Sequence, residues 1–101
     1  MPLIKIARRS ELPAEGKVRE FPAGEKMVCV ACVNGRYSAL DNRCLHRGGP
    51  LGQGVIEKGK VVCPWHGWEF DAATGQTGHN PAARVATYRL TVEGDDVFVE
   101  I

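Results

Sequence analysis

Nothing in this chain is both long and apolar. The longest hydrophobic run, Met27 to Val33, covers seven of its 101 residues, far short of the roughly 20 a membrane-spanning helix needs. No apolar core follows the charges of Met1-Pro2-Leu3-Ile4-Lys5-Ile6-Ala7-Arg8-Arg9. Neither a secretory nor a twin-arginine export signal is therefore expected, and a cytoplasmic, non-membrane protein is. Charge of one sign is also scarce. Thirteen Lys/Arg against twelve Asp/Glu leave a formal charge of +1, which excludes a nucleic-acid binder held by a large basic field. Sustained helical periodicity, repeats and low-complexity tracts are absent, so neither a helix bundle nor a solenoid is expected. Only four cysteines are present. In a reducing compartment they read as metal ligands or buried thiols before disulfides.

What remains is short, glycine-punctuated and β-like, and the length suits one domain spanning residues 1–101. Leu3–Ala7, Lys17–Phe21, Met27–Val33 and Arg36–Asp41 read as strands, and Asn34-Gly35 is the strongest turn signal, because both central positions of a type I′ turn need positive φ. Ala86, Tyr88, Leu90 and Val92, then Val97, Val99 and Ile101, alternate around a turn at Gly94-Asp95-Asp96. An all-β sandwich or barrel of about eight to ten short antiparallel strands follows. Basic residues dominate the first half, nine against five acidic in 1–50, and acidic ones the second, seven against four basic in 51–101. Solvated faces would give this pattern, and so would a dipolar docking surface.

The stretch from about 43 to 78 breaks the pattern with Gly48-Gly49-Pro50, Gly52-Gln53-Gly54 and Lys58-Gly59-Lys60, and reads as long functional loops. Two segments in it carry chemistry: Cys44-Leu45-His46-Arg47-Gly48 and Cys63-Pro64-Trp65-His66-Gly67-Trp68. Either alone is weak, since a cysteine near a histidine occurs by chance. Together they offer four soft or borderline ligands on two Gly-rich loops. A structural zinc site is one reading. Zinc sites of this composition usually pair Cys with Cys and His with His, whereas each loop here is mixed. A dinuclear centre, with thiolates on one iron and imidazoles on the other, suits that better. Cys29-Val30-Ala31-Cys32 matches C-x-x-C, but on a strand residues three apart face opposite sides, so two buried thiols are expected. His79 reads as an exposed loop residue or as cover for the cluster loops.

The two boxes, C-x-H-x-G and C-P-x-H-G with Trp68, Phe70 and Asp71 continuing the second, resemble those of the Rieske [2Fe–2S] family. The resemblance implies that Cys44 and Cys63 hold an inner iron and His46 and His66 an outer one that takes the electron. It implies a two-loop cluster-binding subdomain and one-electron transfer rather than catalysis. Two ferric ions, two sulfides and two thiolates sum to zero charge, so the oxidised centre buries no net charge. Positions that carry a disulfide in the high-potential branch hold Gly49 and Trp65 here, and its Ser and Tyr hydroxyls are replaced by Trp68 and Phe70. Fewer donors stabilise the reduced state, so a low potential follows. After His46 and His66, only His79 is left, too few for the two-His, one-carboxylate iron site of an oxygenase. The implied role is a ferredoxin passing electrons from a flavin-dependent reductase to a ring-hydroxylating or related oxygenase. A small Rieske subunit of an NAD(P)H-dependent nitrite reductase and a zinc-binding structural module are the alternatives. Leu45, Pro50, Leu51, Trp65 and Pro81 would form an apolar docking rim around the histidines, with Arg47 beside it.

Overall fold

The computed structural model describes residues 3–44, 48–65, 67–78 and 83–101. Within them lie nine strands: β1 (Leu3–Arg8), β2 (Val18–Ala23), β3 (Lys26–Val33), β4 (Arg36–Asp41), β5 (Val55–Glu57), β6 (Lys60–Val62), β7 (Glu69–Asp71), β8 (Thr87–Glu93) and β9 (Asp96–Glu100). Two single turns of 3-10 helix, Arg9–Glu11 and Leu51–Gln53, are the helical segments among them.

The expected turn between β3 and β4 forms as its residues require, with Asn34 at φ 53° and Gly35 at 76°. Both amides of this turn donate to the Glu15 carboxylate, at 2.7 and 2.6 Å. The hairpin is thereby tied to the loop leading into β2. From it grows a six-stranded antiparallel sheet in the order β1-β9-β8-β4-β3-β2. Its edges curl toward each other: Ile4 and Ile6 of β1 pack with Phe21 and Ala23 of β2, giving a nearly closed barrel. Pro22 sits in β2, an edge strand, where its missing N–H breaks no ladder.

β3 explains the seven-residue apolar run. Val28, Cys29, Val30 and Ala31 are all fully buried, because both faces of the strand are covered. Val28 and Val30 point into the barrel with Val97 and Val99. Cys29 and Ala31 point the other way, into a second core shared with Cys44, Cys63, Val61 and Phe70. A strand buried on both sides reads as a continuous run rather than an alternation.

The second core is roofed by a structure the sequence pattern did not reveal. Residues read as irregular loop form a three-stranded antiparallel sheet, β5-β6-β7. Each strand has three residues, too few to show alternation. Lys58 and Gly59, at φ 51° and 78°, make the β5–β6 turn.

Cys29 and Cys32 are buried strand thiols, as expected. Burial pushes the Cys29 thiol from its ordinary 9.0 up to about 12, and the charge of Glu20 on the neighbouring strand adds to the effect. At pH 9 an ordinary thiol is about half ionised and above that mostly so, while Cys29 keeps its proton. Folded protein treated with iodoacetamide at pH 9 should therefore carry no adduct on Cys29 by peptide mass spectrometry. The same treatment in denaturant should alkylate it fully.

Candidate metal centre

The two cysteine loops are built on the same turn. Cys44 N–H donates to the Gly49 carbonyl (2.9 Å), and its own carbonyl accepts from Gly48 N–H (2.8 Å). Cys63 repeats this with Trp68 (2.8 Å) and Gly67 (3.1 Å). In both, the residue four positions on is a glycine at φ 76°, where a side chain would cost about 1–2 kcal/mol. A third copy follows at Asp71, whose N–H donates to Gln76 O (2.9 Å) and whose carbonyl accepts from Gly75 N–H (2.8 Å). There the Asp71 carboxylate accepts the amides of Ala73 and Thr74, each at 2.9 Å. In that copy the turn gathers amide donors around an acceptor on its first side chain.

The two cysteine turns meet. Cys44 and Cys63 lie in one apolar core, at 2% and 3% exposure, and neither is in a disulfide. Gly49, in the first loop, presses on the second: a Cβ there would lie 2.8 Å from Cys63 Sγ and 3.0 Å from the Trp65 ring. The positions that a disulfide links in the high-potential branch are thus neighbours here, and the indole fills the space. Trp65 is itself 57% exposed. Phe70 is fully buried in the cysteine core, its ring 6.5 Å from that of Trp68, and it offers no hydroxyl.

His46 and His66, the other two expected ligands, lie outside the described residues, as do His79, Leu45, Arg47 and Pro81. One member of the expected rim is corrected. Leu51 is fully buried in the cysteine core rather than lining a surface, because the 3-10 turn at Leu51–Gln53 rotates it inward.

A polar bracket under the loops left no sequence signal, since its members are far apart in the chain. The Glu20 carboxylate accepts from Asn42 Nδ2 at 2.8 Å and from Gln53 Nε2 at 2.9 Å. Asn42 Oδ1 in turn accepts the Gly52 amide at 2.7 Å, and the Asn42 carbonyl accepts the Leu51 amide at 2.8 Å. No side chain fits at Gly52, where a Cβ would lie 2.5 Å from the Glu20 Cβ.

Comparison with known proteins agrees with this arrangement. A family model described as the Rieske [2Fe-2S] domain matches residues 3–89. The chain is 33% identical over 92 residues to the ferredoxin component of the p-cumate 2,3-dioxygenase system of Pseudomonas putida, covering 87% of this chain and 77% of that protein. It is 35% identical over 85 residues to apoptosis-inducing factor 3 of Homo sapiens, covering 83% of this chain but spanning only 14% of that relative. Its fold matches the ferredoxin of carbazole 1,9a-dioxygenase from Nocardioides aromaticivorans IC177, with a TM-score of 0.85 at 24% identity, over 98% of this chain and 97% of that one.

The contact of Gly49 with Cys63 yields a test. Gly49→Ala forces the two loops apart and should cost about 1–3 kcal/mol, as overpacking does. Gly67→Ala meets none of the described residues within 4 Å and among them pays only for its backbone angle. Gly49→Ala protein should accordingly be purified with less iron than Gly67→Ala protein, and should melt lower.

Proposed function

The chain belongs to the Rieske [2Fe–2S] domain family, and we propose that it is a one-electron relay, acting between a flavin-dependent reductase and a ring-hydroxylating or related oxygenase. The observation that carries this reading is the convergence of two identical cysteine turns in one core. Its relation to a dioxygenase ferredoxin over most of that protein's length supports the partner class. Residues 1–101 are read as one such domain. Among the described residues, no helix is long and apolar enough to cross a membrane.

The family's cofactor is one Rieske-type cluster, and the residues present fit it. Two cysteines outside any disulfide sit together in an apolar core, where a single thiolate would be unstable and a pair on ferric iron would not. Cys44 and Cys63 would hold one iron, and His46 and His66 the other. When bound, the cluster supplies a single-electron couple of low potential, near −150 mV by the range such centres span. The protein's own residues do the rest. The two turns fix the cysteine backbones, Gly49 lets the loops close, and Phe70 and Leu51 keep water from the cysteine side. Trp65 presents an exposed aromatic face one residue before His66, suited to a transient partner.

Beyond the two expected ligand histidines, residues 1–101 hold only His79, so the role proposed for these residues is electron transfer.

Purified protein should be red-brown, hold about two iron and two labile sulfide per chain, and show a rhombic EPR signal only when reduced. Cys44→Ser or Cys63→Ser should abolish the colour, whereas Cys29→Ser should keep it. A colourless protein with stoichiometric zinc would overturn the reading. Electron delivery from a reductase to a candidate oxygenase, followed by substrate turnover, tests the partners. Trp65→Glu should slow that delivery while leaving the spectrum unchanged.

Tuning is tested separately. Phe70→Tyr adds a hydroxyl at a buried position of the cysteine core and should raise the midpoint potential. A rise of about 30 mV corresponds to about 0.7 kcal/mol, comparable to one net hydrogen bond. A wild-type potential above about +100 mV would contradict the low-potential assignment.

A further inference from the structure

Glu20 is a carboxylate in an unusual place. It lies on β2 directly across from Cys29, whose side chain shares the apolar core of Cys44 and Cys63. Its oxygens accept from Asn42, two residues before Cys44, and from Gln53, just after the first cysteine loop. The same Asn42 also holds the Gly52 and Leu51 amides. Both donors to Glu20 are neutral amides, and neither of the molecule's two described cation–ring contacts nor its described ion pair involves it. Among the described residues, its negative charge is therefore held under the loops by neutral amides. Glu20 and Cys29 face each other across the ladder, and Cys29 packs in the core that holds Cys44 and Cys63, so the carboxylate stands beside that core.

We propose that Glu20, held by Asn42 and Gln53, is a fixed negative charge that lowers the reduction potential of the centre carried by the two cysteine loops. This rests on the reading of those loops as a Rieske site. The sign follows from charge: reduction adds an electron to a neutral oxidised centre, and a nearby carboxylate repels it. Partial burial keeps that repulsion from the screening a surface charge would suffer. Glu20 is not itself one of the expected ligands and its described hydrogen bonds go to Asn42 and Gln53, so it is a positioning and tuning residue.

The test uses holo-protein and reads the midpoint potential by spectroscopic redox titration. Glu20→Gln keeps the shape and the hydrogen-bonding capacity but removes the charge. It should favour reduction by about threefold or more, which is about 28 mV for a one-electron couple. Gln53→Lys neutralises the same carboxylate from an exposed position with little risk to folding, and should shift the potential in the same direction. Glu93→Gln, at the exposed end of β8, removes one charge far from the bracket and should leave the potential unchanged. If both Glu20→Gln and Gln53→Lys hold an intact cluster with a wild-type potential, Glu20 is only a bracket and the proposal fails. If Glu20→Gln does not retain its cluster, Gln53→Lys alone decides: a higher potential supports the proposal, and an unchanged one overturns it. Wild-type protein without a [2Fe–2S] spectrum would defeat the underlying reading instead.

Discussion

A thiolate in an apolar core is tolerable only if its charge is answered where it sits. Two cysteines buried to 2% and 3% exposure in a single core make that demand twice in one place. The rest of the architecture can be understood as meeting it. The small sheet β5-β6-β7 and the inner face of β3 shut water out. The turns leave the chain no slack at either cysteine, and Gly49 removes the one side chain that would wedge the loops apart. A divalent cation bound by surface carboxylates would need none of this. A centre whose oxidised form is neutral needs all of it, because its stability comes from exclusion of solvent as much as from its bonds.

The core strands were legible because each carries enough residues to display a period. β3 announces itself by a run of small and branched residues, and β8 and β9 by alternation around a Gly-Asp turn. The two cysteine boxes were legible for another reason: their spacing is chemical rather than conformational, so they survive in a stretch with no periodicity. The three strands that roof the site were not legible. Val55–Glu57, Lys60–Val62 and Glu69–Asp71 are set by pairing to one another across turns, and each contributes at most one deeply buried side chain. Leu51 was misplaced on the rim for a related reason. Its direction is decided by one turn of 3-10 helix, which no local pattern signals. The Glu20 bracket joins residues 20, 42 and 53, and a contact between such distant positions exists only once the chain has folded.

The barrel and the roof share one apolar core, and polar contacts beside it tie the barrel to the first cysteine loop. Asn42 follows directly on β4, and through backbone and side chain it engages Met27, Leu51, Gly52 and Glu20. The placement of the cysteine loop thus depends on the barrel as well as on its own turn. Such coupling lets a scaffold change its outer loops without moving the site, since the reference frame is carried by a few amides at the base.

The turn that holds each cysteine also occurs at Asp71, where the first side chain accepts two amides and binds nothing else described. Among the described residues one backbone device therefore occurs in three copies, and the first residue is a buried cysteine in two of them and a capping aspartate in the third. The five-residue turn closed by glycine is thus separable from the chemistry of its first side chain, since the same backbone pattern forms around cysteine and around aspartate. A builder of new metalloproteins could use it in the same way, choosing the turn for its shape and deciding afterwards which copies are to bind.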